Sequence, residues 1–187
     1  MKELQDFIYE LGMLKRTDRE GWKVCGIDKP ESVSEHSLRA AQIGYILAYL
    51  ENYDKPEKVA TTLVFHELGE CRIGDIHKIA SKYLTYKEED VVNNQTEKIN
   101  DIGKKIFKLW KKIEKPVDKP GIIAKDADLV EMAFTAREYM QIGYSRASRW
   151  IDSSYKRVKT KSAKKMIKNL KKSNPSEWWT KLKKEDI

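Results

Sequence analysis

Leu4, Phe7, Ile8, Leu11 and Leu14 recur at intervals of three and four, the spacing that lays one apolar stripe along a helix, and predict an amphipathic helix over residues 3–14. From Lys15 to Val33 the periodicity stops. Two Gly and one Pro stand among charged residues there, and the stretch reads as a long loop. Ser32 or Ser34 then offers a cap for a helix carrying His36, Ala40, Ile43, Leu47 and Leu50, broken by Asn52 to Pro56. The next helix, over about 56–69, uses Val59, Leu63, Val64 and Leu68, with His66 and Glu67 near its C-terminal end. Beyond Gly74-Asp75, a helical stretch over about 88–113 has Ile99, Ile102, Ile106, Leu109 and Trp110 as its stripe. Pro116 and Pro120-Gly121 punctuate the chain before helices at about 121–142 and 146–171, and a short one through Trp178 and Trp179. No run alternates with period two, so the expected fold is all-α, a helical bundle in one domain.

Composition adds three limits. A chain of 187 residues is large enough to bury a core without disulfides, and 35% charged with 40% apolar residues is the balance of a folded, globular protein. The longest apolar run, Ile43 to Leu50, falls far short of the ~18 residues needed to span a bilayer, and the first residues lack the hydrophobic core of a secretory leader. Cys25 and Cys71 stand apart with no framework spacing and read as free thiols, so a cytoplasmic location is expected.

The net charge of +8 is not spread evenly. From Tyr155 to Ile187 there are 12 Lys or Arg against 3 acids, whereas the preceding 154 residues carry 25 basic and 26 acidic groups. Such a cationic helical segment (about 155–187) could attract phosphate-bearing ligands or RNA. A solvated lysine-rich helix face explains it more simply, so a nucleic-acid partner stays open without being favoured.

Only three histidines occur, and two of them sit in strings rich in acids: Pro30-Glu31-Ser32-Val33-Ser34-Glu35-His36-Ser37, and Phe65-His66-Glu67-Leu68-Gly69-Glu70 running on to Gly74-Asp75-Ile76. Imidazole with carboxylate suits a divalent transition metal such as Mn, Fe, Co, Ni or Zn, with positions left for water or phosphate oxygen. On a helix, His66 and Glu67 diverge by about 100°, so they converge only on an ion at the helix edge. Glu70 lies one turn on, where its carboxylate could reach a water at the metal without binding the metal. His36 would come in from the preceding helix, as ligands in bundle interiors do.

Here the sequence resembles the HD-domain metal-dependent phosphohydrolases, and within them the single-domain 5′-deoxynucleotidases. The resemblance begins with Leu14-Lys15-Arg16, Arg19 and Gly21-Trp22, and continues through Pro30–Ser37 and Phe65–Ile76. It then takes in Lys125-Asp126-Ala127-Asp128, Glu138-Tyr139 and the closing Glu177-Trp178-Trp179. It implies a single HD-type domain over residues 1–187, with His36, His66, Glu67 and Asp128 as metal ligands and Glu70 and Asp75 as active-site carboxylates. It also implies Arg19 as a phosphate-binding arginine, Lys125 beside the distal ligand, and a homodimer. Glu67 departs from the resemblance, which leads one to expect aspartate; the extra methylene moves the carboxylate outward by about 1.5 Å. Asp128 over Asp126 rests on the resemblance alone: a helical wheel from Ile122 puts Asp126 nearer the centre of the apolar face.

The expected activity is hydrolysis of (deoxy)nucleoside 5′-monophosphates to nucleoside and phosphate by direct attack of water. Glu70 would orient or deprotonate that water, Asp75 would orient water or sugar or accept a proton, and Arg19 and Lys125 would bind phosphate. Trp22 packs the loop or stacks on the substrate base, and Trp178 and Trp179 read as an anchor or a subunit contact. Two alternatives keep other classes open. One is an HD-type enzyme for cyclic nucleotides or alarmones, against which stands the lack of an evident second basic cluster near the ligands. The other is a basic nucleic-acid-binding protein whose HD site is relaxed by Glu67.

Overall fold

The first predicted stripe folds as α1 (Lys2–Leu11), runs into a 3-10 turn at Gly12–Lys15, and buries Phe7 and Leu14. The structure is a computed structural model that describes residues 1–183, with Lys181 described by its backbone alone; residues 184–187, the end of the lysine-rich segment, lie outside the described residues. The stretch expected to be loop from Lys15 to Val33 holds one helical turn, α2 (Glu20–Lys23). An isolated antiparallel bridge joins Asp18 to Ser32, and the Val33 N–H bonds to Thr17 O at 2.8 Å. Trp22, only 2% exposed, anchors the segment. A lone aromatic among charges carries no periodicity, so the turn was invisible in the pattern.

Ser32 starts α3 (Val33–Leu50) through a capping box, its hydroxyl accepting from the Glu35 N–H while the Glu35 carboxylate accepts from the Ser32 N–H. α4 (Pro56–Val64) begins on a proline and ends before His66, shorter than predicted. Phe65 to Gly69 follow as turns in which the Phe65, Glu70 and Cys71 N–H groups reach back only three residues, ahead of α5 (Glu70–Ile73). His66 and Glu67 therefore stand on irregular backbone and not on a helix. The imidazole of His66 bonds to Leu63 O at 2.7 Å, satisfying a carbonyl that the ended helix leaves free.

The predicted helix over 88–113 is two, α6 (Glu88–Thr96) and α7 (Asn100–Glu114). Asn100 takes φ 53° with ψ −131°, a positive-φ turn outside the left-handed helical region, and the chain folds back closely enough that a Cβ on Gly103 would run into Thr96 O. α8 (Lys119–Gln141) is capped by Asp118, which accepts from the Gly121 N–H at 2.9 Å. The helix predicted over 146–171 also divides, into α9 (Ser148–Arg157) and α10 (Lys161–Ile167). At the break, the N–H groups of Lys159 and Thr160 donate to the Asp126 carboxylate at 2.6–3.0 Å. α11 (Glu177–Leu182) carries Trp178, which is 71% exposed. The fold is all-α: among the described residues there is no strand, and no helix is long and apolar enough to cross a membrane.

The buried apolar side chains form two clusters. One joins α3, α4, α8, α9 and α10 through Leu47, Leu63, Ile123, Val130, Ile151 and Ile167; the other joins α1, α6 and α7 through Phe7, Leu68, Val92, Ile106 and Trp110. α8 is buried on most sides, with Ala127, Ala133 and Ala136 letting its neighbours approach. Fully burying Leu63 contributes about 1.5–3 kcal/mol, which fixes α4 and hence the turn that leaves it. The polar exceptions in this interior include His36, His66, Asp128 and Glu131, and three of these four meet at one place.

Candidate metal centre

His36 lies in the first turns of α3 and is fully buried. Its Nδ1 is 2.5 Å from Glu131 Oε2 on α8, so the Nδ1–H donates to a carboxylate and Nε2 faces away. Glu131, itself 0% exposed, accepts from Thr135 Oγ1 at 2.8 Å and from Arg39 Nε at 2.9 Å, and Arg39 goes on to Glu138. His66 reaches the same place from the turn after α4. Its Nδ1 faces a carbonyl, which can only accept, so Nδ1 carries the hydrogen and Nε2 the lone pair. The two rings lie 5.3 Å apart, and both Nε2 atoms are buried without a hydrogen-bond partner.

Two carboxylates complete the group. Glu67 Oε1 lies 3.4 Å from His66 Nε2 and 3.7 Å from His36 Nε2, while Asp128 Oδ1 lies 3.3 Å from His36 Nε2. One atom from each of the four residues falls within 4.8 Å of the others. Bonds of about 2.1 Å around an ion place neighbouring ligand atoms roughly 3.0–3.5 Å apart, so the donor set and its spacing fit a divalent cation. Burial and Arg19 press His36 towards neutrality, but Asp128 and Glu131 outweigh them and push it up to about 9. The negative charge that favours a proton there favours a cation in its place. Despite burial, Lys125 and His36 hold Asp128 well below the usual carboxylate range; His66 and Arg19 likewise hold Glu67 down. A second acidic group, Glu31 with Glu131, lies on the Nδ1 side of His36, where Trp22, Arg39 and Thr135 already occupy the oxygens.

Arg19 binds the carboxylates together. Its Nη1 is 2.9 Å from Glu67 Oε1 and 3.8 Å from Glu70 Oε1, and its Nε is 3.9 Å from Asp75 Oδ2. Glu70 opens α5 with Oε2 buried and unpartnered; burial and Glu67 drive its carboxyl up to about 10. Gly74, at φ 70°, turns the chain so that Asp75 faces Arg19. Asp75 lies on irregular backbone and opens no helix; the nearby Glu20 N–H draws its carboxyl down. Burial and Glu67 also raise its carboxyl against the pull of Arg19. Lys125, one turn before Asp128 on α8, sits 2.9 Å from its Oδ2.

Arg19, Glu67, Asp75, Lys125 and Asp128 border a cavity of about 470 Å³ whose remaining wall includes Leu129, Met132, Trp150, Ile76 and Ile79. Trp22 also borders it, but its indole N–H donates to Glu31 at 3.1 Å and its ring packs 5.1 Å from both Tyr139 and Trp150. A family model described as an HD domain matches residues 11–171 of this chain. The chain belongs to the HD-domain family. Its relatives include proteins named 5′-deoxynucleotidase. The one from Dictyostelium discoideum is 33% identical over 150 residues, 74% of this chain and 78% of the relative; the one from Homo sapiens is 30% identical over 142 residues, 74% and 69%. Among solved structures, a coding region of Archaeoglobus fulgidus is 32% identical with a TM-score of 0.66, covering 95% of this chain and 100% of that one. A conserved hypothetical protein of Pyrococcus furiosus is 28% identical with a TM-score of 0.72, covering 90% and 99%.

In this HD domain His36, His66, Glu67 and Asp128 come together, with Arg19, Glu70, Asp75 and Lys125 beside them, whereas Asp126 is elsewhere: its oxygens are spent on the backbone of Lys159 and Thr160. The sequence reading missed Glu131, although an acid three residues past Asp128 on an apolar helix was a usable signal. It also missed a second set of cations. Lys78, Arg149 and Arg157 line the same cavity, correcting the expectation that no second basic cluster lies near the ligands.

Proposed function

We propose that this HD domain is a metal-dependent phosphomonoesterase that hydrolyses (deoxy)nucleoside 5′-monophosphates. The observation that carries the reading is the convergence of two imidazole Nε2 atoms and two carboxylates within 4.8 Å, beside a cavity that also presents Arg19 and Lys125. The names of the relatives support the substrate class. His36, His66, Glu67 and Asp128 hold one divalent ion among Mn, Fe, Co, Ni and Zn. Such an ion supplies Lewis acidity towards phosphate and lowers the pKa of water.

The chain's own residues do the rest. Arg19 turns its planar fork from the carboxylates to the phosphate, and Lys125 adds positive charge beside it. Glu70 ionises once positive charge gathers next to it, and then orients the attacking water and accepts its proton. The water oxygen bonds to phosphorus as the bond to the 5′-oxygen breaks, and the proton taken up by Glu70 passes to the departing 5′-oxygen. Asp75, held beside Arg19, orients the substrate, and Leu129, Met132 and Trp150 offer base and sugar an apolar wall that Trp22 backs.

Two further parts of the reading concern context. Leu38, Tyr45, Ile46, Tyr49 and Leu50 are exposed on α3, which supports a homodimer, and the free thiols Cys25 and Cys71 support a cytoplasmic setting. The full chain supplied with Co or Mn is expected to release phosphate from deoxynucleoside 5′-monophosphates. No release across a panel of metals, deoxynucleotides and ribonucleotides overturns the proposal; opening of cyclic nucleotides to monophosphates, without phosphate release, moves it to that class.

A further inference from the structure

Three cations on the cavity wall have no part in that reaction. Arg149, Ser153 and Arg157 line the cavity at intervals of four residues, so one face of α9 forms this wall. The two arginines stand about 12 Å apart along the helix, at 1.5 Å per residue. Lys78, three residues beyond Asp75, borders the same space. Its ammonium is pushed below the ordinary lysine value by burial, by Arg157 and by Lys125, so like charges crowd this side of the cavity.

The contrast with the cations of the candidate metal centre is chemical. Arg19 faces Glu67, Glu70 and Asp75, and Lys125 faces Asp128. Among the described residues, Lys78, Arg149 and Arg157 form no ion pair and no side-chain hydrogen bond. Unneutralised charges around one cavity raise the local concentration of anions and favour an anionic group between them. The apolar wall at Leu129 and Met132 cannot supply that group, and the scissile phosphate is already matched by Arg19 and Lys125.

We propose that the site takes a nucleotide with two phosphates, the scissile one at the 5′-oxygen and a second one on the ribose 3′-oxygen held by Lys78, Arg149 and Arg157. This rests on the nucleotidase reading of the same centre. A phosphomonoesterase needs a terminal 5′-phosphate, so any second phosphate must sit elsewhere on the nucleoside, and in a deoxynucleoside the free hydroxyl is the 3′. Guanidinium forks suit that group.

The test compares kcat/KM of the full chain with Co for deoxyadenosine 3′,5′-bisphosphate and for dAMP. The bisphosphate is expected to be preferred by about tenfold, the worth of one or two charge-assisted hydrogen bonds. The double variant Lys78→Gln, Arg157→Gln is expected to bring that ratio close to one. A wild-type ratio of one or less, or a ratio that the variant leaves unchanged, overturns the proposal. A 5′-phosphorylated dinucleotide distinguishes the two sources of the 3′-phosphate: sharing the preference assigns it to an oligonucleotide end, lacking it assigns it to a free nucleotide. If neither substrate releases phosphate, the nucleotidase reading has failed, and binding still decides this one. Calorimetry should then show deoxyadenosine 3′-monophosphate held about tenfold more weakly by the double variant, and equal binding overturns the proposal.

Discussion

The two histidines of the candidate metal centre are held by opposite means. His36 sits on a regular helix, and Glu131, Arg39 and Thr135 form a buried chain of hydrogen bonds behind it. His66 sits on a turn with only the Leu63 carbonyl behind it. Its neighbours Glu67, Glu70 and Asp75 share a single guanidinium, and Glu70 keeps a buried oxygen without a partner. The helix side is satisfied internally and so is built for rigidity. The turn side is short of partners, the condition expected where an ion, a water and a phosphate complete the bonding.

The largest effect should come from the turn side. Glu70→Gln is expected to cut activity by about 10²–10⁴-fold, the usual range for a lost general base. The same change should stabilise the metal-free protein. The folded carboxyl is raised to about 10 from 4.5, so its contribution to stability is fully present below pH 4.5 and is lost as the pH rises through 10. Gln cannot ionise, so the gain should grow with pH and approach about 1–3 kcal/mol, a few degrees in Tm. Thermal unfolding of chelator-treated protein at pH 5 and pH 8 measures this. An equal difference at both values would show that Glu70 ionisation does not strain the fold.

The helix side is tested by Glu131→Gln, which keeps the shape and removes the charge behind His36. Metal affinity, measured by titration calorimetry with Co, should drop about 10–100-fold, as when other carboxylates behind metal-bound histidines are lost. Unchanged affinity would mean that α3 alone orients the ring. His66 has no such variant, because its support is backbone.

How much of this was legible follows the same division. The capping box at Ser32, the stripe of α3 and the ligand strings are local, and the chain announces them. The end of α4 at Val64 is not local. Helical pattern continues through Leu68, yet Leu68 packs with Val92 and Trp110 in the second apolar cluster, on the other side of the turn. Asp126 and Asp128 illustrate the limit of a helical wheel. α8 is buried on most sides, so facing inward does not separate them; the difference is the backbone of Lys159 and Thr160, 33 and 34 residues away. Lys78, Arg149 and Arg157 likewise become one group only when α9 packs on α8.

The smallest effect concerns Glu67, which the resemblance marked as a misfit. Its Oε1 already lies 3.4 and 3.7 Å from the two Nε2 atoms and 2.9 Å from Arg19. Its backbone belongs to a turn and not to the helix the sequence predicted, so the turn can stand back and let the longer arm fill the distance. Aspartate would withdraw the oxygen by about 1.5 Å from both histidines and from Arg19. Glu67→Asp should therefore lower kcat/KM about tenfold and weaken metal binding in parallel, since catalytic geometry tolerates little misplacement. A gain in activity would reverse the argument: the glutamate would then be a liability that the turn fails to absorb, and the turn side would be as inflexible as the helix that carries His36.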